Sequence, residues 1–391
     1  MAQFLGQLRS NEIFSALYNM IISQEVFADN LGKHQTLVEK ARVDGSLYGD
    51  TKLYYSTDVL KSAPWGNDAE ALNLLALHRP EAPECQAIHL DIFRQISLTV
   101  DNYLSKRAWS TEGAFSSFNS IMLGWMRDTK KVYDGTLYNV FIGTNETSLG
   151  SQQQTVDVTT AQGSVTDPEE LARIEAVTIA QALANLIVEM GDYSREFNDY
   201  GNLRSYADES ISVIWNSSYI NKIKKVDLPT IFHKEGLVDK FEQEVLPSRY
   251  FGRSVASGDK GSGKVINASG QYDPTKGVLR SRVEKDIIRT VGGVAKAVAH
   301  VFPGDEINAG DTTLTITVGS SSDFAEAEVY VPDASIICKV IAGKLPPYMS
   351  AFEVGTSFFN PKSLTENHYL TFGHNTLEHL SNYPFVTVRK V

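Results

Sequence analysis

The stretch 88–100, IHLDIFRQISLTV, decides the fold, because its side chains alternate between apolar and polar. Apolar residues share one parity, interrupted at position 94, and they are Ile88, Leu90, Ile92, Ile96, Leu98 and Val100. A period of two over this length indicates a half-buried strand, longer than the usual length of about five or six residues. The β-prone, turn-rich segment 47–60, LYGDTKLYYSTDVL, precedes it. We therefore expect a two-stranded arm that projects from a body, within residues 44–107.

Long helices flank this β segment. Apolar residues recur at helical spacings after Ser110, at Phe115, Phe118, Met122, Trp125 and Val132. They predict a helix over 111–134, about 36 Å long, that stops at the Asp134-Gly135 pair. The sequence TDPEE at 166–170 contains a capping signal and an early proline, so we expect another helix from there to about Gly191. Spacings of three and four also predict a helix over 8–27.

The second half of the chain is mainly β. We expect strands at 211–215, 313–318, 327–331 and 336–341, and a closing strand in PFVTVRKV at the end, with a short helix over 236–245. Residues 252–277 contain six glycines and little apolar periodicity, which indicates an exposed loop. No βα unit repeats along the chain. The order of elements is that of an α+β fold and not of a doubly wound α/β fold.

Composition limits the function further. With 391 residues, the chain is long enough for two or three structural units. Thirty-six Lys and Arg against 47 Asp and Glu give a net charge of −11, which argues against sequence-independent DNA binding. Two cysteines, without CxxC spacing, support neither a disulfide framework nor a zinc site. The start lacks a signal-peptide pattern and we find no continuous apolar run of about 18 residues, so we expect a soluble protein without a membrane partner.

No motif in the sequence strongly indicates a catalytic, cofactor-binding or metal-binding site. Gly258 to Lys264 has the GxxxxGK spacing of a phosphate-binding loop, but Val265 stands where a Ser or Thr should bind Mg²⁺. His374 and His379 are five residues apart, which is not the helical spacing of a metal pair. The acidic pair at 208–209 indicates a solvated turn, as does the pair at 305–306. Basic residues cluster at Lys222, Lys224 and Lys225, and at Arg280, Arg282, Lys285 and Arg289, where contacts with protein are favoured over nucleic acid. We expect no catalytic residue, no bound cofactor and no metal.

The aromatic residues are more informative about function than these motifs. Several lie in segments that we interpret as loops or arms, namely Tyr54, Tyr55, Trp65, Trp109, Phe358 and Phe359. Exposed aromatics on extended elements are typical of interface anchors. The alternative is that these arms fold back on their own core.

This order of elements resembles the major capsid proteins of tailed bacteriophages, which have the Hong Kong 97-type fold that they share with encapsulins. Residues 1–43 resemble the N-terminal arm, 44–107 the extended β loop, and 108–165 the spine helix with a strand of the peripheral domain. Residues 166–345 are similar to the axial domain, and 346–391 to the closing peripheral and axial strands. The segment YADESISVIWNSSYINKI at 206–223 is similar to a segment common in these proteins. The C-terminal 41 residues look like those of short-tailed Picovirinae-type phages.

The resemblance implies a structural protein that forms hexamers and pentamers in an icosahedral shell around double-stranded DNA. A separate scaffolding protein and a portal protein would be its partners, and the DNA would be enclosed without specific binding. The protein would be made in the host bacterial cytoplasm and reside in the virion. Three alternatives stay open: an encapsulin-like shell, another virion structural protein, and a nucleotide-binding enzyme that uses Gly258–Lys264.

Overall fold

The computed structural model describes residues 36–44, 51–62, 77, 79–101, 112–147, 149–223, 242–254, 278–281, 285–291, 294–301, 307–308 and 329–391. Five helices lie in these ranges: α1 (Thr36–Ala41), α2 (Glu112–Thr144), α3 (Val158–Gln162), α4 (Pro168–Gly191) and α5 (Ser217–Ile223). The first strands of the described part are β1 (Arg42–Asp44), β2 (Lys52–Ser56), β3 (Glu84–Ile88), β4 (Leu90–Asp101), β5 (Gln153–Val156), β6 (Ile211–Asn216), β7 (Glu242–Leu246) and β8 (Gly252–Ser254). They are followed by β9 (Val278–Ser281), β10 (Lys285–Val291), β11 (Val294–Val301), β12 (Ile307–Asn308), β13 (Val329–Pro332), β14 (Ile336–Ala342), β15 (Tyr348–Asn360), β16 (Thr365–Asn375) and β17 (Phe385–Lys390).

The first of two compact units comprises residues 1–50, 89–139 and 348–376. Its sheet has the order β1-β15-β16-β4, with β16 antiparallel to both β15 and β4. Alternate side chains of this sheet face helix α2, and the ring of Tyr133 packs edge-on against Phe372. The alternation that predicted a strand at 88–100 therefore reflects one sheet face turned to a helix and the other turned to water.

A buried charge cluster joins helix α2 to this sheet. Asp134, 1% exposed, accepts hydrogen bonds from the Tyr348 hydroxyl at 2.5 Å and from the Lys130 ammonium at 3.1 Å. The Arg42 guanidinium on β1 lies 3.6 Å from the same carboxylate. Burial raises the pKa of Tyr348 well above its usual value, and the nearby Asp134 adds to the effect. Satisfied buried charges of this kind fix the geometry of the helix, the edge strand and β15 together.

The second unit comprises residues 51–88, 140–347 and 377–391. Its central sheet has the order β5-β17-β14-β6-β7, with helix α4 packed on it. All seven residues of β14 are buried. Helix α4 begins where the sequence indicates, since the Asp167 carboxylate caps the Glu169 amide and Pro168 is the first helical residue. By length and mean hydropathy alone α4 could cross a membrane, but eight of its residues are buried within the protein.

Three shorter sheets complete the second unit. Strands β2 and β3 pair as an antiparallel two-stranded sheet, which we call the ribbon. Strands β10 and β11 form a hairpin, and β12-β9-β13-β8 form a four-stranded sheet. The mixture of long helices and mostly antiparallel sheets confirms the α+β class.

Several sequence predictions need correction. The strand that pairs with residues 52–56 is β3 and not the long strand β4, which joins the body sheet, because alternation identifies a strand but not its partner. Helix α2 does not stop at Asp134-Gly135 but continues to Thr144, since both residues are buried there and packing outweighs the low helix propensity of glycine. Residues 242–245 of the predicted 236–245 helix instead belong to strand β7 (Glu242–Leu246).

The remaining predictions have mixed outcomes. The strands predicted at 211–215, at 336–341 and in PFVTVRKV are confirmed, with observed bounds of 211–216, 336–342 and 385–390, and the helix ending at Gly191 is confirmed as well. Strand β13 begins two residues after the predicted start of the 327–331 strand. The predicted 8–27 helix, the 313–318 strand and most of the glycine-rich segment lie outside the described residues.

Candidate assembly surfaces

The ribbon exposes one uncharged face. Leu53 is 51% and Tyr55 64% exposed, and across the ribbon they pair with the exposed residues Ala87 and Cys85. Tyr54, of opposite parity, is half-buried, and burial raises its pKa, with Tyr383 adding a smaller increase. The prediction of an exposed Tyr54-Tyr55 pair is therefore right for Tyr55 only. Further along the connecting segment Leu60 and Leu77 are about 80% exposed.

Hydrogen bonds hold the root of the ribbon, at Ser56, to the rest of the second unit. Ser56, 4% exposed, donates a hydrogen bond to the Asn382 side chain at 2.5 Å. Its hydroxyl accepts bonds from the Asn202 amide at 2.7 Å and from the Arg204 guanidinium at 3.1 Å. A buried hydroxyl with three partners orients the strand that carries it.

Asp58 and Gln86 add further hydrogen bonds near this root. Asp58 accepts hydrogen bonds from the Leu203 amide at 2.9 Å and from the Arg195 guanidinium at 2.6 Å, and these contacts lower its pKa to about 2. On the other strand, the Gln86 amide donates to the His379 carbonyl at 3.0 Å and accepts from the Ser381 amide at 3.0 Å. Both strands of the ribbon are thus fixed at the base, while its exposed face is free of such contacts among the described residues.

No motif in the sequence identifies this root. Ser56, Asn202, Arg204 and Asn382 are far apart along the chain and belong to no motif. Their only signal is a run of small polar residues in turn-rich segments, which is common on any protein surface.

A second exposed surface lies on the sheet of the first unit. The face turned away from helix α2 has three cross-strand rows, Val354–Thr371–Gln95, Thr356–Tyr369–Ser97 and Phe358–Asn367–Thr99. None of these nine residues is charged. Hydrogen bonds from Gln95 to Thr371 at 3.0 Å and from Thr99 to Asn367 at 2.7 Å orient its polar groups. Depletion of charge is typical of the core of an interface.

The tip of the β15–β16 hairpin is apolar as well. Phe358 and Phe359 are 61% and 48% exposed, which confirms their predicted exposure. Leu364 in the turn has a φ of 56°, a left-handed conformation that a branched apolar side chain rarely adopts. Trp65 and Trp109, also predicted as exposed anchors, lie outside the described residues.

Both histidines considered for chemistry have hydrogen-bond partners in the described part of the chain. Residues 258–264 lie outside it. His374 is buried between the Tyr133 hydroxyl at 2.8 Å and the Asn375 carbonyl at 2.9 Å, and burial lowers its pKa. His379 contacts the Asp199 carboxylate at 2.7 Å.

Metal ligands do not cluster either. Within the described ranges, no group of three or more His, Cys, Asp or Glu residues could hold a metal ion. The acidic pair at 208–209 lies in a short turn before β6, as expected, and the pair at 305–306 lies outside the described residues. Of the basic clusters, the described residues fall on α5, β9 and β10, and the rest lie outside.

Comparisons with known proteins support a fold and nothing finer. No protein-family model and no curated protein matches the sequence. Among solved structures, the chain is similar to one in the capsid structure of Staphylococcus phage Andhra, with a TM-score of 0.56 and 10% identity over 90% of this chain and 83% of that chain. It is also similar to a chain in the structure of the head fiber and inner core protein gp22 of native bacteriophage P68, with a TM-score of 0.55 and 9% identity over 89% and 83%. At these identities the likeness concerns the fold alone, and it confirms the predicted α+β fold of the Hong Kong 97 type.

Proposed function

We propose that this chain is a major capsid protein of a tailed bacteriophage, which self-assembles into the icosahedral head shell around packaged double-stranded DNA. The observation that carries the proposal is the likeness in fold to a chain of the phage Andhra capsid, which extends over 90% of this chain. The protein acts as a structural and not a catalytic component, and it resides in the virion after synthesis in the host bacterial cytoplasm.

The ribbon supports this proposal. Its root is fixed by Ser56 and Asp58, while Leu53 and Tyr55 present an uncharged apolar face to solvent. Such a face is costly to leave exposed in a monomer, but gains free energy when a neighbouring subunit covers it. In the resembled family the corresponding extended loop lies across an adjacent subunit. The uncharged sheet face of the first unit offers a surface of matching chemistry on that neighbour.

The same proposal assigns each segment of the chain to a part of the capsid fold. Residues 1–43 form the arm, 44–107 the extended loop, 108–165 the spine with a peripheral strand, 166–345 the axial domain, and 346–391 the closing strands. The long helix α2 supports a spine, and the buried five-stranded sheet with α4 supports an axial core.

The partners follow from the assembly. Copies of the chain form hexamers and pentamers, a separate scaffolding protein directs their curvature, and a portal protein occupies one vertex. The net charge of −11 suits a wall that encloses DNA without adsorbing it. Purified subunits should therefore bind DNA weakly at moderate salt, as an electrophoretic shift assay would measure. No membrane takes part.

A pair of matched substitutions tests the proposal. Tyr55→Asp places a charge on the ribbon face and should prevent particle formation, because an interface must not bury an unpaired charge. Tyr193→Asp introduces the same charge at a tyrosine that is 76% exposed outside the ribbon, and should leave assembly intact. Sedimentation and electron microscopy of both variants give the result. Normal particles from Tyr55→Asp would contradict the role of the ribbon.

A second structural role is kept open by one comparison. The phage P68 structure is described as that of a head fiber and inner core protein, so a different virion component is the second candidate. Closed shells of the purified chain favour the capsid role, whereas fibres or small oligomers favour the other role. An enzyme that binds nucleotide at Gly258–Lys264 is the third possibility, and Lys264→Ala should leave assembly unchanged if the capsid role is right.

A further inference from the structure

The inner face of the ribbon determines how the ribbon is oriented. Strands β2 and β3 form a sheet of two strands, and such a sheet is at best marginally stable in water unless it packs on other elements. Because side chains alternate along a strand, Tyr54 and Ser56 lie on the face opposite to the exposed Leu53 and Tyr55. Tyr54 is half-buried and Ser56 is buried. The contacts of this inner face therefore set the direction in which Leu53 and Tyr55 point.

Residues 379–382, which we call the support segment, bind both strands of the ribbon. The Gln86 side chain on β3 forms hydrogen bonds of 3.0 Å with a carbonyl and with an amide of the support segment. On β2, the Ser56 hydroxyl donates to the Asn382 side chain at 2.5 Å. A movement of the support segment would therefore move both strands.

A side-chain pair connects the support segment to the loop 194–204. The Nε2 atom of His379 lies 2.7 Å from Oδ2 of Asp199, and because a carboxylate only accepts hydrogen bonds, the ring donates from Nε2. The Asp199 amide also donates to the Ser381 carbonyl at 2.8 Å. The fully buried Gln152 donates to the other carboxylate oxygen of Asp199 at 3.4 Å. Asp199 thus fixes the support segment from the side of the loop.

The loop 194–204 binds the ribbon as well. The Arg204 guanidinium donates to the Thr57 carbonyl at 2.6 Å, and the Asn202 side-chain amide donates to the Ser56 hydroxyl at 2.7 Å. The ribbon, the support segment and the loop therefore contact one another in a closed ring of hydrogen bonds. In such a network each bond restricts the movement of the others, so the loss of one bond loosens the rest.

The His379–Asp199 pair lies outside the hydrophobic core of the second unit. The side chains of His379 and Asp199 are 21% and 28% exposed, whereas the core consists of buried apolar residues around β14 and α4. Side-chain pairs near the surface contribute little to global stability. Loss of this pair should therefore change the orientation of the ribbon more than the stability of the subunit.

We propose that Asp199 and His379 are positioning residues for assembly, because their contact holds the ribbon in the orientation in which Leu53 and Tyr55 meet the next copy of the chain. The inference rests on the proposed function and adds the residues that prepare the ribbon for docking. A preorganised element binds more tightly, since it loses less conformational freedom on contact. If the ribbon without this pair is correctly oriented for about a tenth of the time, the apparent affinity of each contact falls about tenfold.

A nitroxide label on the ribbon tests the first step in unassembled subunits. The chain has two cysteines, of which Cys85 is exposed on the ribbon and Cys338 is fully buried, so the label reacts with Cys85 in the native sequence. Electron paramagnetic resonance should show a more mobile label in His379→Ala and in Asp199→Ala. His379→Gln should resemble the native chain, because its amide nitrogen can replace Nε2 as the donor. Glu378→Ala, which removes an exposed carboxylate beside His379, is the matched control.

Particle formation by the unlabelled variants tests the second step. The subunit concentration at which particles form, measured by light scattering and electron microscopy, should rise about tenfold in both alanine variants. It should return to the native value in His379→Gln. The midpoint of thermal unfolding of the subunits should stay unchanged in all variants, which separates positioning from a contribution to folding.

Gln86→Leu tests the same contacts from the side of the ribbon. Gln86→Leu and His379→Ala should each mobilise the label, and the double variant should add little, because both changes act through the support segment. Fully additive effects would show two independent contacts and would overturn the proposal.

The outcomes separate this inference from the proposed function. Unchanged label mobility in both alanine variants, or a mobility that rises only as the unfolding midpoint falls, would overturn the positioning role. A mobile label with unchanged assembly would overturn it too, and would leave the capsid role intact. Native subunits that form no particles, with or without a scaffolding protein, would overturn the proposed function and this inference together.

Discussion

Replacement of Asp134 tests whether the buried charge cluster holds helix α2 to strand β15. Its carboxylate accepts hydrogen bonds from Tyr348 at 2.5 Å and from Lys130 at 3.1 Å. Removal of one partner of a buried ion pair costs about 3–5 kcal/mol, because a buried charge is left uncompensated. Lys130 keeps the Ser350 hydroxyl and the half-exposed Glu353 carboxylate. We therefore expect Asp134→Ala to cost about 3 kcal/mol, at the lower end of that range.

Native-state hydrogen exchange of the unassembled subunit measures this loss by region. Peptides from residues 126–139 should exchange about 150-fold faster in Asp134→Ala, which corresponds to about 3 kcal/mol. Helix α4 in the second unit should be unchanged. In a matched control, Lys130→Met with Asp134→Leu removes both charges and should cost far less. Acceleration below about tenfold, or equal effects of the single and double variants, would refute the reasoning.

Three further predictions concern single positions. Ser56→Ala leaves three polar groups at the ribbon root without their partner and should lower the free energy of unfolding by about 1–3 kcal/mol. Thr57→Ala, at the adjacent exposed position, should have no such effect. Limited proteolysis should therefore cleave the ribbon faster in Ser56→Ala, and equal cleavage of the two variants would contradict the role of Ser56. Burial lowers the pKa of His374 below 6.5, so the folded state favours the neutral ring and stability is lost as the pH falls from about 6.5 through the lowered value. Thermal unfolding of the subunit should depend less on pH in this range in His374→Gln, and an unchanged profile would contradict the assignment. On helix α2, Gly143→Ala brings a methyl group against the Tyr250 carbonyl and should destabilise the protein by about 1–3 kcal/mol. Gly124→Ala places its methyl group in open space and should stabilise the helix by about 0.5–1 kcal/mol. Chemical denaturation should therefore show changes of opposite sign in the free energy of unfolding of the two variants.

The elements with strong local signals were predictable from the sequence. The capping residues at 167–168 start α4 where expected, and the alternation at 88–100 identifies β4 as a half-buried strand. Local signals fail where tertiary contacts decide. Asp134 and Gly135 read as a helix stop, yet the buried contacts of Asp134 with Lys130 and Tyr348 carry the helix through.

The candidate surfaces were only partly predictable. Aromatic residues on extended segments indicated Tyr55, Phe358 and Phe359, because an exposed aromatic on a strand is unusual in a monomer. The ribbon root could not be predicted from the sequence, because Ser56 and Asn382 are 326 residues apart and only the folded chain brings them together. The partner of a strand is likewise a long-range property, so the alternation at 88–100 predicts the strand β4 but not the sheet that it joins.

Electron microscopy of the purified chain, expressed alone and with a scaffolding partner, tests the central claim most directly. The capsid account predicts closed icosahedral shells in at least one of the two conditions, with Tyr55→Asp abolishing them. Monomers that persist in both conditions would contradict it.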